Sequence, residues 1–225
     1  MKKGIGMFAG LLLTVLTSAG PAFAQSEYVN VPISELNETV SGQCNGDWSV
    51  IKSLTCNSAA SRVCINEYGA QGGIIQEFDP RVSRQATIFC APGTQLIVSL
   101  STLRRMLPDP AACAFDWSGA SALTCNSAAS RYCTRSGSGS GGFIQEFSPR
   151  TNAASILCSE GERRIISASF MARTTNNTCN DRWNDYSSLT CNMAASRICR
   201  NAGFNGGVVQ EFNNFNRQYD ILCMY

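Results

Sequence analysis

Apolar positions in this chain fall into a pattern that returns three times. Between residues 53 and 68, Cys56, Ala60 and Cys64 recur four apart with Val63 beside them, the spacing of one helix face. Gly69 stands where a left-handed residue ends such a helix. Residues 73–78 and 86–90 are apolar runs of strand length joined by a turn at Asp79-Pro80. The helical block 54–64 returns at 123–133 and 189–199, and Gly72-Gly73-Ile74-Ile75-Gln76-Glu77-Phe78 returns at 141–147 and 206–212. Stretches 28–36, 95–100 and 164–170 alternate or run apolar as strands do. Ala59 and Ala60, with Ala128, Ala129, Ala194 and Ala195, predict a small-residue helix surface on which a sheet sits closely. Each unit reads as strand, cysteine and tryptophan loop, helix, strand, strand.

Cysteine spacing makes the triplication sharper. The sets are Cys44, Cys56, Cys64 and Cys90; Cys113, Cys125, Cys133 and Cys158; and Cys179, Cys191, Cys199 and Cys223. Successive spacings are 12, 8 and 26, then 12, 8 and 25, then 12, 8 and 24. Two fixed intervals followed by a drifting one predict a rigid segment and then a variable loop. The variation is expected around residues 79–85 and in Ser136-Gly137-Ser138-Gly139-Ser140, whose composition suits a mobile surface loop. Residues 25–100, 101–170 and 171–225 form the three modules on this reading. Modules this small sit near the lower limit for an independent core, which is where disulfide staples are needed.

Helix geometry restricts the pairing. Cys56 and Cys64 lie eight residues apart, so roughly 12 Å along a helix axis, whereas a disulfide needs Cα atoms within about 7 Å. Two schemes survive: Cys44–Cys56 with Cys64–Cys90, or Cys44–Cys64 with Cys56–Cys90. The first is preferred because the loop carrying Cys44 enters the helix near Cys56, and the last strand returns toward Cys64. Closing a loop of about 12 residues is worth roughly 3 kcal/mol in the chain-entropy model. The expected fold is α+β, with three tandem disulfide-stapled modules packed side by side or around a pseudo-threefold axis.

The N-terminus changes the compartment. Lys2 and Lys3, a 12-residue apolar run over 5–16 and Ala22-Phe23-Ala24 are the parts of a signal peptide, expected to span residues 1–24. That run is shorter than the about 20 residues of a membrane span, so no membrane insertion is expected. A secreted or periplasmic protein with 12 cysteines reads as a disulfide framework. With no histidine and no close cysteine pairs, neither metal nor cofactor is expected. Two of the 18 basic residues lie in the leader and all 16 acidic ones lie after it, so residues 25–225 balance at 16 against 16. No basic run supplies a surface for nucleic acid.

Three repeated sets are candidates for ligand binding. Trp48, Trp117 and Trp183 each follow the first cysteine of their set by four residues; they read either as stacking platforms for a sugar face or as covers for their own disulfides. Arg62, Arg131 and Arg197 lie off the cysteine stripe, while Glu77, Glu146 and Glu211 sit on the first strand of the motif. They read either as structural ion pairs or, with Asn57, Asn126 and Asn192, as a polar cluster for hydroxyls or a carboxylate. The asparagines also suit helix caps. Gln76, Gln145 and Gln210 point to the opposite strand face from the glutamates.

Catalysis has little to stand on. There is no histidine for a nucleophile–base pair, every cysteine belongs to a repeated set, and each repeated glutamate is expected beside an arginine, a poor setting for a general acid. The expectation is a secreted multivalent binding protein, lectin-like or adhesin-like, with three equivalent weak sites for a carbohydrate or cell-surface ligand. The alternative is a disulfide-rich scaffold or inhibitor acting on a protein partner through a loop such as 136–140, and a hydrolase comes last. Alkylation of native protein followed by mass spectrometry is expected to label no cysteine; two or more labelled thiols would contradict the six-disulfide reading.

Overall fold

The computed structural model describes residues 26–44, 50–79, 83–113, 119–179 and 185–225. The first unit runs β1 (Glu27–Pro32), α1 (Ile33–Thr39), α2 (Val50–Tyr68), β2 (Gly72–Asp79) and β3 (Gln85–Ala91). The second runs β4 (Thr94–Ser99), α3 (Leu100–Arg104), a 3-10 turn at Pro110–Ala112, α4 (Gly119–Ser136), β5 (Gly141–Ser148) and β6 (Ala153–Ser159). The third runs β7 (Gly161–Ser167), α5 (Ala168–Thr174), α6 (Asp185–Asn201), β8 (Gly206–Asn213) and β9 (Gln218–Met224). Each unit forms one antiparallel three-stranded sheet with its last strand in the middle, in the orders β1-β3-β2, β4-β6-β5 and β7-β9-β8. The architecture is α+β in three disulfide-stapled modules.

Sheet membership groups the strands across the residue ranges expected for the modules. Thr94 pairs with Cys158 and Gly161 with Met224, so one sheet gives way to the next at residues 92–93 and at 160. The stretches read as strands, 28–36, 95–100 and 164–170, also turn helical at their ends. Ser99 and Ser167 accept hydrogen bonds from the amides of Thr102 and Phe170, which caps α3 and α5. The first amides of the short helices donate to carbonyls of the following hairpin: Ile33 to Arg84 at 3.0 Å, Leu100 to Asn152 at 3.0 Å and Ala168 to Arg217 at 2.9 Å. Leu36, Leu103 and Met171 are then fully buried.

The long helices match their expected faces. Cys56, Ala59, Ala60, Val63 and Cys64 line the first core, and the corresponding residues line the other two. Gly69, Gly137 and Gly203 end the helices at φ of +64°, +69° and +90°. The amides of Ala70, Ser138 and Phe204 then bond back to the carbonyls of Cys64, Cys133 and Cys199. The Ser/Gly run at 136–140 is thereby part of a helix cap rather than a free loop: Ser140 N–H donates to the Ser159 carbonyl at 3.0 Å, and its hydroxyl donates to Glu160 at 2.6 Å. Pro80, in the expected turn, lies outside the described residues.

All six disulfides follow the preferred scheme: Cys44–Cys56, Cys64–Cys90 and their counterparts Cys113–Cys125, Cys133–Cys158, Cys179–Cys191 and Cys199–Cys223. The second glycine of each Gly-Gly pair makes room for one of them. A Cβ on Gly73, Gly142 or Gly207 would lie 2.3, 2.4 or 2.5 Å from the sulfur of Cys64, Cys133 or Cys199.

Consecutive apolar residues on the inner strands serve two different cores. Ile75, Ile88, Ile144, Ile156, Val209 and Ile221 face the helix of their own unit. Their neighbours Ile74, Phe89, Phe143, Leu157, Val208 and Leu222 turn to the opposite face and meet in a fourth cluster drawn from all three units. An unbroken apolar run is what a strand buried on both faces requires. Replacing Gly142 by alanine is expected to lower stability by about 1–3 kcal/mol through overpacking against the disulfide, read as the midpoint shift in urea. An unchanged midpoint would show that the strand and the disulfide are not in tight contact.

Candidate functional site

The repeated motif Gly-Gly-x-x-Gln-Glu-Phe assembles the seams between units. Helix α2 lies against β5 of the second unit, α4 against β8 of the third, and α6 against β2 of the first. The contacts therefore run in one sense and close on themselves. At each seam the strand register shifts across the glutamine, between Ile75 and Glu77, Ile144 and Glu146, and Val209 and Glu211. This bulge takes the glutamine out of its own ladder. The Gln145 carbonyl accepts from Ser58 Oγ at 2.8 Å, and that of Gln210 from Ser127 Oγ at 2.7 Å.

The glutamine side chains reach the preceding sheet. Gln145 Oε1 accepts from the Gly73 amide at 2.9 Å while its Nε2 donates to the Gly73 carbonyl at 3.2 Å. Gln210 Oε1 accepts from Gly142 N–H at 2.9 Å, and Gln76 Oε1 from Gly207 N–H at 3.4 Å. All three side chains are buried. The first glycine of the pair leaves the space: a Cβ on Gly72 or Gly141 would lie 2.2 or 2.4 Å from the incoming glutamine oxygen.

Arginine and glutamate close the outer side of the same seams. Arg62 pairs with Glu146, Arg131 with Glu211, and Arg197 with Glu77 at 2.9 Å. Each pair joins different units, which the sequence did not indicate. Each arginine also donates to the end of its own unit's short helical segment, to the carbonyls of Thr39, Met106 and Thr174 at 3.1, 3.2 and 3.3 Å. The hydrogen bond to Glu211 raises the Arg131 pKa against the opposing effect of desolvation, so this guanidinium stays charged.

A polar cleft opens beside each pair. The first, about 420 Å³, lies between Thr55, Ser58 and Arg62 on one unit and Gln145, Glu146 and Phe147 on the next. The second, about 280 Å³, has Thr124, Ser127 and Arg131 facing Gln210, Glu211 and Phe212. The third, about 320 Å³, has Met193 and Arg197 facing Glu77 and Phe78, with Asn30 and Thr87 beside them. Methionine stands there where the other helices have serine, so that seam lacks the serine-to-carbonyl bond. Tyr28 compensates. Its hydroxyl donates to Gln76 Oε1 at 3.2 Å and shares a hydrogen bond with Ser196, and Arg200 stacks over its ring at 4.6 Å. Burial raises the Tyr28 pKa, outweighing Ser196 and Arg200, so the hydroxyl remains a neutral donor.

The candidate residues divide. Arg62, Arg131, Arg197, Glu77, Glu146 and Glu211 line the clefts and are partly exposed. Asn57, Asn126 and Asn192 are buried instead, accepting from the amides of Ile75, Ile144 and Val209 at 3.0, 2.8 and 2.9 Å. They bridge helix to strand within one unit. Trp48, Trp117 and Trp183 lie outside the described residues. The seam role of the glutamines was missed, and the threefold recurrence of Gly-Gly-x-x-Gln was its signal; Ser58, Ser127 and Tyr28 have no counterpart at all three seams that would have marked them. Among the described residues, no cluster of acidic or cysteine side chains could hold a metal ion, and no helix is long and apolar enough to cross a membrane.

Magnitudes rank the seam contacts. A solvent-exposed ion pair is worth at most about 1 kcal/mol, whereas stranding a buried amide costs about 1–3 kcal/mol. Gln145→Ala is therefore expected to lower stability by about 1–3 kcal/mol, and Arg62→Ala by about 1 kcal/mol or less, in urea melts. The reverse order would show that the ion pairs hold the seams.

No protein-family model matches the chain, and no curated protein or solved structure matches it.

Proposed function

We propose that this is an exported multivalent binder of carbohydrate whose ligand sites are the three seam clefts. The observation that carries the reading is the recurrence of one set of side chains at every seam: an arginine from one unit, and a glutamate and a phenylalanine from the next. A guanidinium and a carboxylate side by side supply donors and acceptors for the paired hydroxyls of a sugar. The phenylalanine lining each cleft adds apolar surface for the C–H groups of a sugar ring. Clefts so open bind weakly one at a time. Linking three of them can gain 10²–10⁴ in avidity on a dense surface without any improved contact. The signal-peptide pattern expected over residues 1–24 and the six disulfides support a secreted or periplasmic location. The alternative, a scaffold offering 136–140 to a protein partner, has less support because that run is tied into the α4 cap.

A glycan array probed with the oxidised protein is the direct test, with a carbohydrate signal expected. Glu146→Ala is expected to lower retention on the dense array at least tenfold, more than it lowers binding of the same glycan in monovalent form, with melting little changed. An array without signal, or a binding protein indifferent to changes at Glu77, Glu146 and Glu211 together, would remove the clefts as its sites.

A further inference from the structure

The strands that receive the seam glutamines are β2, β5 and β8, which leaves β1, β4 and β7 as the outward edges of the three sheets. An exposed edge is a template for pairing with another strand, and proteins blunt it with charges or proline. Two of these edges are blunted. β1 carries Glu27 and ends on Pro32, and β7 carries Glu162, Arg163 and Arg164, with Arg163 paired to Asp220 and Arg164 to Glu162. β4, Thr94-Gln95-Leu96-Ile97-Val98-Ser99, has neither a charge nor a proline. Ile97 stands 75% exposed in the middle of it, with Gln95 hydrogen-bonded to Ser155 alongside.

The order of residues in β4 favours one occupant. Two antiparallel copies of a strand related by a twofold axis set residues opposite one another symmetrically, with opposed side chains on the same face. Centred on Ile97, that arrangement sets Ile97 against Ile97 of the second copy, Leu96 against Val98, and Gln95 against Ser99. From 95 to 99, apolar meets apolar and polar meets polar. Leu96 and Val98 already face their own module's core, so the pairing continues that core side across the join. In β7, centring on Ile165 would instead oppose Arg164 to Ile166 and Arg163 to Ser167. In β1 it would include Pro32, which has no amide to donate.

We infer that β4 is a self-association edge, at which two copies of this chain join their second-unit sheets into one six-stranded antiparallel sheet. The dimer would present six seam clefts, although the inference does not depend on what those clefts bind.

Sedimentation velocity on the oxidised full chain tests it. The expected species is a dimer. Ile97→Lys sets two like charges directly opposite each other and is expected to halve the apparent mass, while Ile165→Lys leaves it unchanged. Hydrogen exchange gives a second readout on the wild-type protein. Amides in 94–99 are expected to slow as concentration rises, while those in 27–32 and 161–167 do not change. A wild-type monomer at every soluble concentration, a dimer that survives Ile97→Lys, or open-ended oligomers would each overturn the inference.

Discussion

Each sheet in this protein has two apolar faces, and the helices of its own unit cover only one of them. A strand that turns Ile75 toward α2 must turn Ile74 the other way, and residue alternation leaves no alternative. Burying one large apolar side chain is worth about 1.5–3 kcal/mol, and the shared cluster holds Ile74, Phe89, Phe143, Leu157, Val208 and Leu222 fully out of water. A single unit would expose its share of these residues. Three units that lend one another a helix and an apolar face leave none exposed. The triplication is therefore a condition for burying the sheets, independently of any advantage in binding.

Apolar burial alone does not choose how units meet, and the polar contacts supply that choice. A glutamine lifted from its ladder by a bulge reads the backbone of the preceding sheet, at a place where only glycine leaves room. The outer ion pairs act from the solvent side and contribute less, but they set the chemistry of the clefts. Closure is not uniform. The third seam has Met193 in place of serine and a longer glutamine bond, and it relies on Tyr28, which brings burial, a hydrogen bond to Ser196 and a stacked Arg200 to the join.

Much of this was legible in the sequence. The stripe of Cys56, Ala60, Val63 and Cys64 foretold the helices, and helix rise excluded one disulfide scheme while chain direction favoured the one observed. Local signals also located Gly69 as a helix end. The parts that were not legible depend on contacts between distant segments. Nothing near Arg62 in sequence indicates that its carboxylate partner is Glu146, 84 residues on, instead of the glutamate of its own unit. The short helices after β1, β4 and β7 were read as strand because their amides are held by hairpin carbonyls that local pattern cannot supply. Asn57 shows the converse: a polar residue repeated three times invited a ligand role, yet its partner is the buried backbone of the next strand.

Mutual burial among the three units is most directly tested by taking one of them alone. The second unit, residues 94–159, expressed with its four cysteines oxidised, would expose Phe143 and Leu157 and would leave the Gln145 side chain without its partner on Gly73. It is expected to show helical far-ultraviolet dichroism but broad unfolding and poor dispersion of its amide resonances as a monomer. A monomer that melts cooperatively with a well-dispersed spectrum would contradict the claim that each sheet needs its neighbours to fold.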